Sequence, residues 1–145
     1  MCGVIGIVGQ SPVNYAIYEA LTLVQHRGQD AAGIVTCDDL RVHLRKDSGL
    51  VRDVFRKKNM DRLTGTWAIG QVRYPTFGGS ASEDAQPFIV DYPYGIAMAH
   101  NGNVTNFHEL KRTYFDNRKI TLGSNCDLEV VLYVFADALM RREAD

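Results

Sequence analysis

The sequence predicts a mixed α+β domain, and three observations carry that expectation. Short β-branched runs recur along the chain, apolar residues between several of them fall at helical spacing, and turn residues cluster between the segments. The 145 residues are the size of one ordinary domain, and a composition of 46% hydrophobic with 23% charged supplies enough apolar material to bury a core. No internal repeat, low-complexity stretch or linker interrupts the pattern.

Cys2 to Val8 is β-branched and glycine-spaced, a first strand whose glycines leave room for close backbone approach. Ser11-Pro12 starts a new element. From Val13 to Gln25 the residues Val13, Ile17, Leu21 and Val24 recur at helical spacing with Ala20 beside them, and Gly28 supplies a stop. Gly33 to Cys37 and Arg41 to Lys46 flank Asp38-Asp39-Leu40 as a hairpin. Leu50, Val51, Val54 and Phe55 mark a helix that either continues or breaks before Leu63.

Trp67 to Val72 is the next strand, and it runs directly into Arg73-Tyr74-Pro75-Thr76-Phe77-Gly78-Gly79-Ser80, a turn-rich loop that reaches Gln86. A loop of that length inside a compact domain is usually functional or disordered. Phe88 to Tyr92 follows as a strand, Pro93-Tyr94-Gly95 as a turn, and Ile96 to His100 as a strand ending on Asn101-Gly102-Asn103. Thr105 or Asn106 is placed to cap a helix from Phe107 to about Arg118. Beyond the loop Gly123-Ser124-Asn125, Asp127 is placed to cap a final helix with Val131, Leu132, Phe135 and Leu139 on one face.

Charge and cysteine usage narrow the function. A net charge of −1, with Lys and Arg spread along the chain, gives no electrostatic reason to expect nucleic acid or an anionic membrane as partner. No run approaches the ~18 to 20 apolar residues of a membrane span, and no signal-peptide pattern opens the chain, so a cytoplasmic protein is expected. Cys2, Cys37 and Cys126 are an odd number without a CxxC pair, which argues against a disulfide framework and against a metal centre built from this chain. Gly3, Gly6 and Gly9 are spaced GxxGxxG, and no GxxxxGK[ST] occurs, so nucleotide-binding loops find no support. The four histidines show no HExxH.

Four positions are candidates for chemistry. Cys2 is either an inert residue of a first strand or, once Met1 is removed, a nucleophile that carries its own α-amine as general base. Arg73, at the exit of a strand, is either a solvated loop residue or a fork of donors for a carboxylate. Asn101-Gly102 is either a hairpin turn or a side-chain amide and an unhindered backbone N–H converging on one oxyanion. Asp127 is either a helix cap or a carboxylate facing an ammonium group. His100 or His26 would be the partner if Cys2 served a Cys-His hydrolase instead.

Five stretches, in chain order, are similar to the class II glutamine amidotransferases, whose nucleophile is N-terminal. They are Met1-Cys2-Gly3-Val4-Ile5-Gly6, Gln25-His26-Arg27-Gly28-Gln29-Asp30-Ala31-Ala32-Gly33, Val72-Arg73-Tyr74-Pro75-Thr76, Ala85-Gln86-Pro87-Phe88 and Ala99-His100-Asn101-Gly102-Asn103. The His26-Arg27-Gly28-Gln29-Asp30 loop and Arg73-Tyr74-Pro75-Thr76 most resemble the glutamine phosphoribosylpyrophosphate branch. The hexosamine-forming relatives tend to show tyrosines around the Arg-Gly and a tryptophan after the loop arginine, and this chain has neither. Before Asp127, where the family usually carries a Ser- or Thr-rich run, the chain reads Ser124-Asn125-Cys126.

The resemblance implies a four-layer αββα N-terminal-nucleophile sandwich with antiparallel sheets, of which residues 1–145 supply an amidotransferase domain incomplete at its C-terminus. It implies Cys2 as nucleophile, Asn101 and Gly102 as the oxyanion hole, and Arg73, Asp127 and Thr76 as glutamine-binding residues. Glutamine is then the substrate and ammonia the product, passed to phosphoribosyl pyrophosphate by a phosphoribosyltransferase domain that this chain lacks, giving 5-phosphoribosylamine for purine synthesis. No cofactor is expected here, Mg2+ is expected for that further domain, and a homo-oligomer is expected at full length. The alternatives are an amidotransferase for another acceptor, hexosamine- or asparagine-forming, or an inactive fragment or binding module.

Overall fold

The computed structural model describes residues 1–39, 41–74, 82–116 and 121–143. Six strands form two antiparallel sheets. The larger, in the order β1-β4-β2-β3, is built from β1 (Gly3–Val8), β2 (Ala31–Asp38), β3 (Arg41–Ser48) and β4 (Trp67–Arg73). The smaller pairs β5 (Phe88–Val90) with β6 (Ile96–Met98). The helices are α1 (Asn14–Leu23), the single turns α2 (Val51–Val54) and α3 (Lys57–Met60), α4 (Phe107–Lys111) and α5 (Asp127–Glu143).

Alternation across the large sheet decides what each face meets. Ala32, Ile34, Ala68 and Val72 turn to one side, where Ile17 and Leu21 of α1 and Val51, Val54, Phe55, Met60 and Leu63 close a buried cluster over them. Residues one step away, Gly33 and Gln71, turn to the other side and meet the segments flanking the small sheet. A Cβ on Gly33 would collide with the Gln86 backbone, and Gln71 Nε2 donates to the His100 carbonyl at 2.8 Å. The small sheet lays Phe88 and Val90 on Leu128, Leu132 and Ala136 of α5. The layers therefore run α1, large sheet, small sheet, α5, which is the αββα order expected from the sequence.

The described elements follow the expected sequence of strands and helices, with local differences. The helix after Leu50 breaks at Phe55-Arg56 into α2 and α3. α1 ends at Leu23, and Gln25–Arg27 tighten into a 3-10 turn before Gly28. β5 and β6 are each two residues shorter than expected. At His100 the backbone N–H goes to Gln86 Oε1 at 2.8 Å and the carbonyl to Gln71, so side-chain amides replace the ladder. α4 passes into a π turn over Arg112–Asp116; the rest of the expected helix, to Arg118, lies outside the described residues.

The final helix buries part of the face expected, Leu132 with Val131 packed beside it, but not Phe135. Leu128, Leu132 and Ala136, at i, i+4, i+8, form the buried stripe, whereas Phe135 is 44% exposed. The small sheet packs against the stripe that begins at Leu128, about one helical step of rotation from the face anticipated.

Candidate active site

The register of the large sheet brings Cys2 to the arginine strand. Gly3 pairs with Val72, so Cys2 lies at the end of β4, where the Tyr74 N–H donates to its sulfur at 3.4 Å and the Tyr74 carbonyl lies 3.6 Å from the thiol. Met1 is exposed beyond it.

The polar loop after α1 holds the backbone of both residues. Arg27 Nε donates to the Cys2 carbonyl at 3.0 Å, and Asp30 N–H donates to the Arg73 carbonyl at 3.2 Å. Gln25 braces the loop by donating to the Gly28 carbonyl at 2.5 Å and accepting from the Val51 N–H at 2.7 Å. At Gly28 a Cβ would stand 2.6 Å from both the Arg73 carbonyl carbon and the Val72 oxygen, so only glycine lets the loop lie on β4.

A cleft of about 260 Å³ opens beside the sulfur, with Cys2, Arg73, His100, Gly102, Cys126 and Asp127 in its walls. Drug-sized ligands occupy roughly 300–1,000 Å³, so this cleft suits a ligand the size of a single amino acid. Arg73 is buried, and its Nη2 stands 3.7 Å from the equally buried Asp84 Oδ2. Asp127 opens α5, and its carboxylate leaves its own helix: Oδ2 accepts the Val104 N–H at 2.6 Å and Oδ1 faces His100 Nε2 at 3.1 Å. The helix-cap alternative for Asp127 is thus not the arrangement seen. Its hydrogen bonds tie α5 to the segment after β6.

The sequence-derived positions divide as follows. Cys2, Arg73, Gly102 and Asp127 meet in one cleft, while Asn101 is exposed beside Gly102 instead of standing in the wall. Thr76 lies outside the described residues. Of the two histidines weighed for a Cys-His pair, His26 is outside the cleft with Nδ1 near the Leu23 carbonyl, and His100 turns Nε2 to Asp127.

Sequence reasoning did not single out Asp84, Gln86 or Cys126. Gln86 bridges the small sheet to α5: it accepts the His100 N–H, and its Nε2 donates to the Cys126 sulfur at 3.5 Å. Burial pushes the Cys126 thiol up from its ordinary value, so the second sulfur in the cleft wall favours its neutral form. Lys46 of β3 clamps the same loop, donating to the Ala85 carbonyl at 2.5 Å and the Glu83 carbonyl at 3.3 Å, and burial pulls its ammonium down. Nothing local in the chain distinguishes these residues. The Ala85-Gln86-Pro87-Phe88 stretch was the one available signal for Gln86.

No family model matches the chain. The amidophosphoribosyltransferase of Pseudomonas aeruginosa is 57% identical over 142 residues, covering 98% of this chain, and that of Escherichia coli is 53% identical over 140 residues, covering 96%. The Saccharomyces cerevisiae enzyme of the same name is 43% identical over 143 residues. Among solved structures, one described as the allosteric regulatory enzyme of purine biosynthesis superposes with a TM-score of 0.82 at 35% identity, over 92% of this chain and 29% of that one. The glutamine phosphoribosylpyrophosphate amidotransferase of B. subtilis, complexed with ADP and GMP, superposes at 0.78 and 34%, over 90% and 28%. The chain spans about 28% of the length of these curated relatives. By sequence and by fold, the chain is similar to a part of the amidophosphoribosyltransferases.

Proposed function

We propose that this chain hydrolyses the side-chain amide of glutamine at Cys2, and that within a longer protein the ammonia displaces pyrophosphate from phosphoribosyl pyrophosphate to give 5-phosphoribosylamine. The observation that carries this reading is the shared cleft: a thiol, a buried guanidinium and a carboxylate line one space of amino-acid size. An α-amino acid has the complementary pair of charges, and a site built for both penalises ligands that leave either unpaired. The 57% identity to an amidophosphoribosyltransferase supports phosphoribosyl pyrophosphate as acceptor over a hexosamine or an asparagine precursor.

In this reading Met1 is removed, and the freed α-amine takes the Cys2 thiol proton as the sulfur attacks the amide carbon. The Gly102 N–H and the Asn101 amide hold the oxyanion, the latter after a turn toward the cleft. The amine returns the proton to the leaving ammonia. Water, activated by the same amine, then cleaves the γ-glutamyl thioester to glutamate and restores the thiol. Arg73 takes the α-carboxylate, with Thr76 as a further contact, and Asp127 takes the α-ammonium. The Mg2+ of the reading belongs to the phosphoribosyl-transferring part of a longer protein, and no step assigned to these residues uses it. A cytoplasmic setting and a homo-oligomer at full length complete it, and no helix among the described residues is long and apolar enough to cross a membrane.

Intact-mass measurement with a diazoketone analogue of glutamine tests the reading. The expected result is loss of Met1, one covalent adduct located at Cys2, and neither adduct nor glutamine hydrolysis in Cys2→Ala. Glutamine hydrolysis surviving in that variant would sink the mechanism.

A further inference from the structure

We propose that Asp84 is a positioning residue for amino-acid recognition, a buried carboxylate that links Arg73 to the approach of the helix carrying Asp127. The inference rests on the glutamine reading of the site and adds a residue to it. Asp84 ends the 3-10 turn Ser82–Asp84 and is 2% exposed. Its Oδ2 stands 3.7 Å from Arg73 Nη2, and its Oδ1 accepts the Asn125 N–H at 2.9 Å. Asn125 is two residues ahead of Asp127. One side chain thus spans from the cation of the cleft to the approach of the helix that carries its anion.

The physical argument starts from Arg73. A guanidinium stays charged when buried, and a buried charge without a counter-charge is costly. At 3.7 Å the contact with Asp84 is an ion pair longer than a hydrogen bond, and it sets a counter-charge beside the arginine. A counter-ion at that range steadies the guanidinium for an incoming carboxylate. The turn that carries Asp84 is itself fixed from behind, by Lys46 on the Glu83 and Ala85 carbonyls and by the backbone contact of Gly33 with Gln86. Asp84 is therefore held by the scaffold and does not follow Arg73. On these contacts it sets the spacing between the carboxylate-binding and ammonium-binding groups.

The test compares two electrophiles on the full chain: a diazoketone glutamine analogue, which carries both amino-acid charges, and iodoacetamide, which carries neither. In Asp84→Asn the amide keeps an oxygen for the Asn125 N–H but loses the charge. The half-saturating concentration of the analogue should rise about tenfold, with its limiting inactivation rate and the iodoacetamide rate on Cys2 within twofold of wild type. A half-saturating concentration within twofold of wild type overturns the inference, and so does a rise accompanied by a fall in both the limiting inactivation rate and the iodoacetamide rate, which would mean general damage. If Asp84→Asn does not fold, Asp84→Glu is read by the same criteria, since its extra methylene displaces the charge. Absence of saturable labelling of Cys2 in the wild type would instead bring down the glutamine reading, and this inference with it. Saturable wild-type labelling with an unmoved Asp84 variant would leave that reading standing.

Discussion

A Cβ at position 33 would stand 1.9 Å from the carbonyl oxygen of Gln86, so Gly33 of β2 and Gln86 meet backbone to backbone. This contact seats the loop that carries Asp84 and Gln86 against the large sheet, and through Gln86 it places His100 and Cys126.

Gly33→Ala should therefore act at a distance. The methyl meets backbone, which cannot rotate away, so the loop must lift or the strand must bend; overpacking of this kind costs about 1–3 kcal/mol. The expected outcome is a lowered thermal midpoint together with weakened glutamine binding, measured by calorimetry and by the Michaelis constant. A variant as stable and as active as wild type would mean that the two segments are not packed as described.

Arg73→Ala should separate two effects. If Arg73 binds the glutamine carboxylate as proposed, loss of that charge-assisted contact, worth about 1.5–3 kcal/mol, raises the Michaelis constant for glutamine roughly ten- to hundredfold. The same change takes from buried Asp84 its ion-pair partner, a loss on the order of 3–5 kcal/mol at most, since the Lys46 ammonium still feels the Asp84 charge. Arg73→Ala/Asp84→Ala should accordingly be more stable than Arg73→Ala alone, and a double-mutant cycle by chemical denaturation checks it. Strict additivity of the two substitutions would count against the pair.

The two buried cysteines should resist alkylation. Burial pushes the thiols of Cys126 and Cys37 above the ordinary value of 9.0, and the neighbouring Asp38 and Asp39 carboxylates add to the effect on Cys37. Both are buried and poorer in thiolate than an ordinary cysteine, whereas Cys2 is only partly buried, so iodoacetamide should reach and modify Cys2 first at pH 8. The unfolded chain releases these protons before the folded one does. The stability they contribute is thus complete below 9.0 and falls as pH rises beyond it. Peptide mapping after timed alkylation reads the order, and equal rates at Cys2 and Cys126 at pH 8 would contradict it.

Most elements were legible in the sequence because their signals are local. A β-branched run from Gly3 to Val8, a helical apolar period through Ile17 and Leu21, and Asp38-Asp39 between two strands each act over a few residues. Cys2 and Arg73 were legible as candidates for the same reason, since each stands at the end of a recognisable strand.

What the chain alone determined, then, is the order of its elements and the residue types able to attack an amide or grip an amino acid. What only the tertiary structure decided is which of them meet and what holds them. The β1–β4 register puts the Cys2 sulfur on the Tyr74 N–H, and Asp127 turns from its own helix to Val104 and His100. Asp84 reaches across 41 residues to Asn125, and α5 buries Leu128 while leaving Phe135 exposed. The reason is physical: periodicity reports that a face is apolar, whereas the rotation of a helix on its sheet and the pairing of buried charges are settled by long-range packing, which no local window of residues contains.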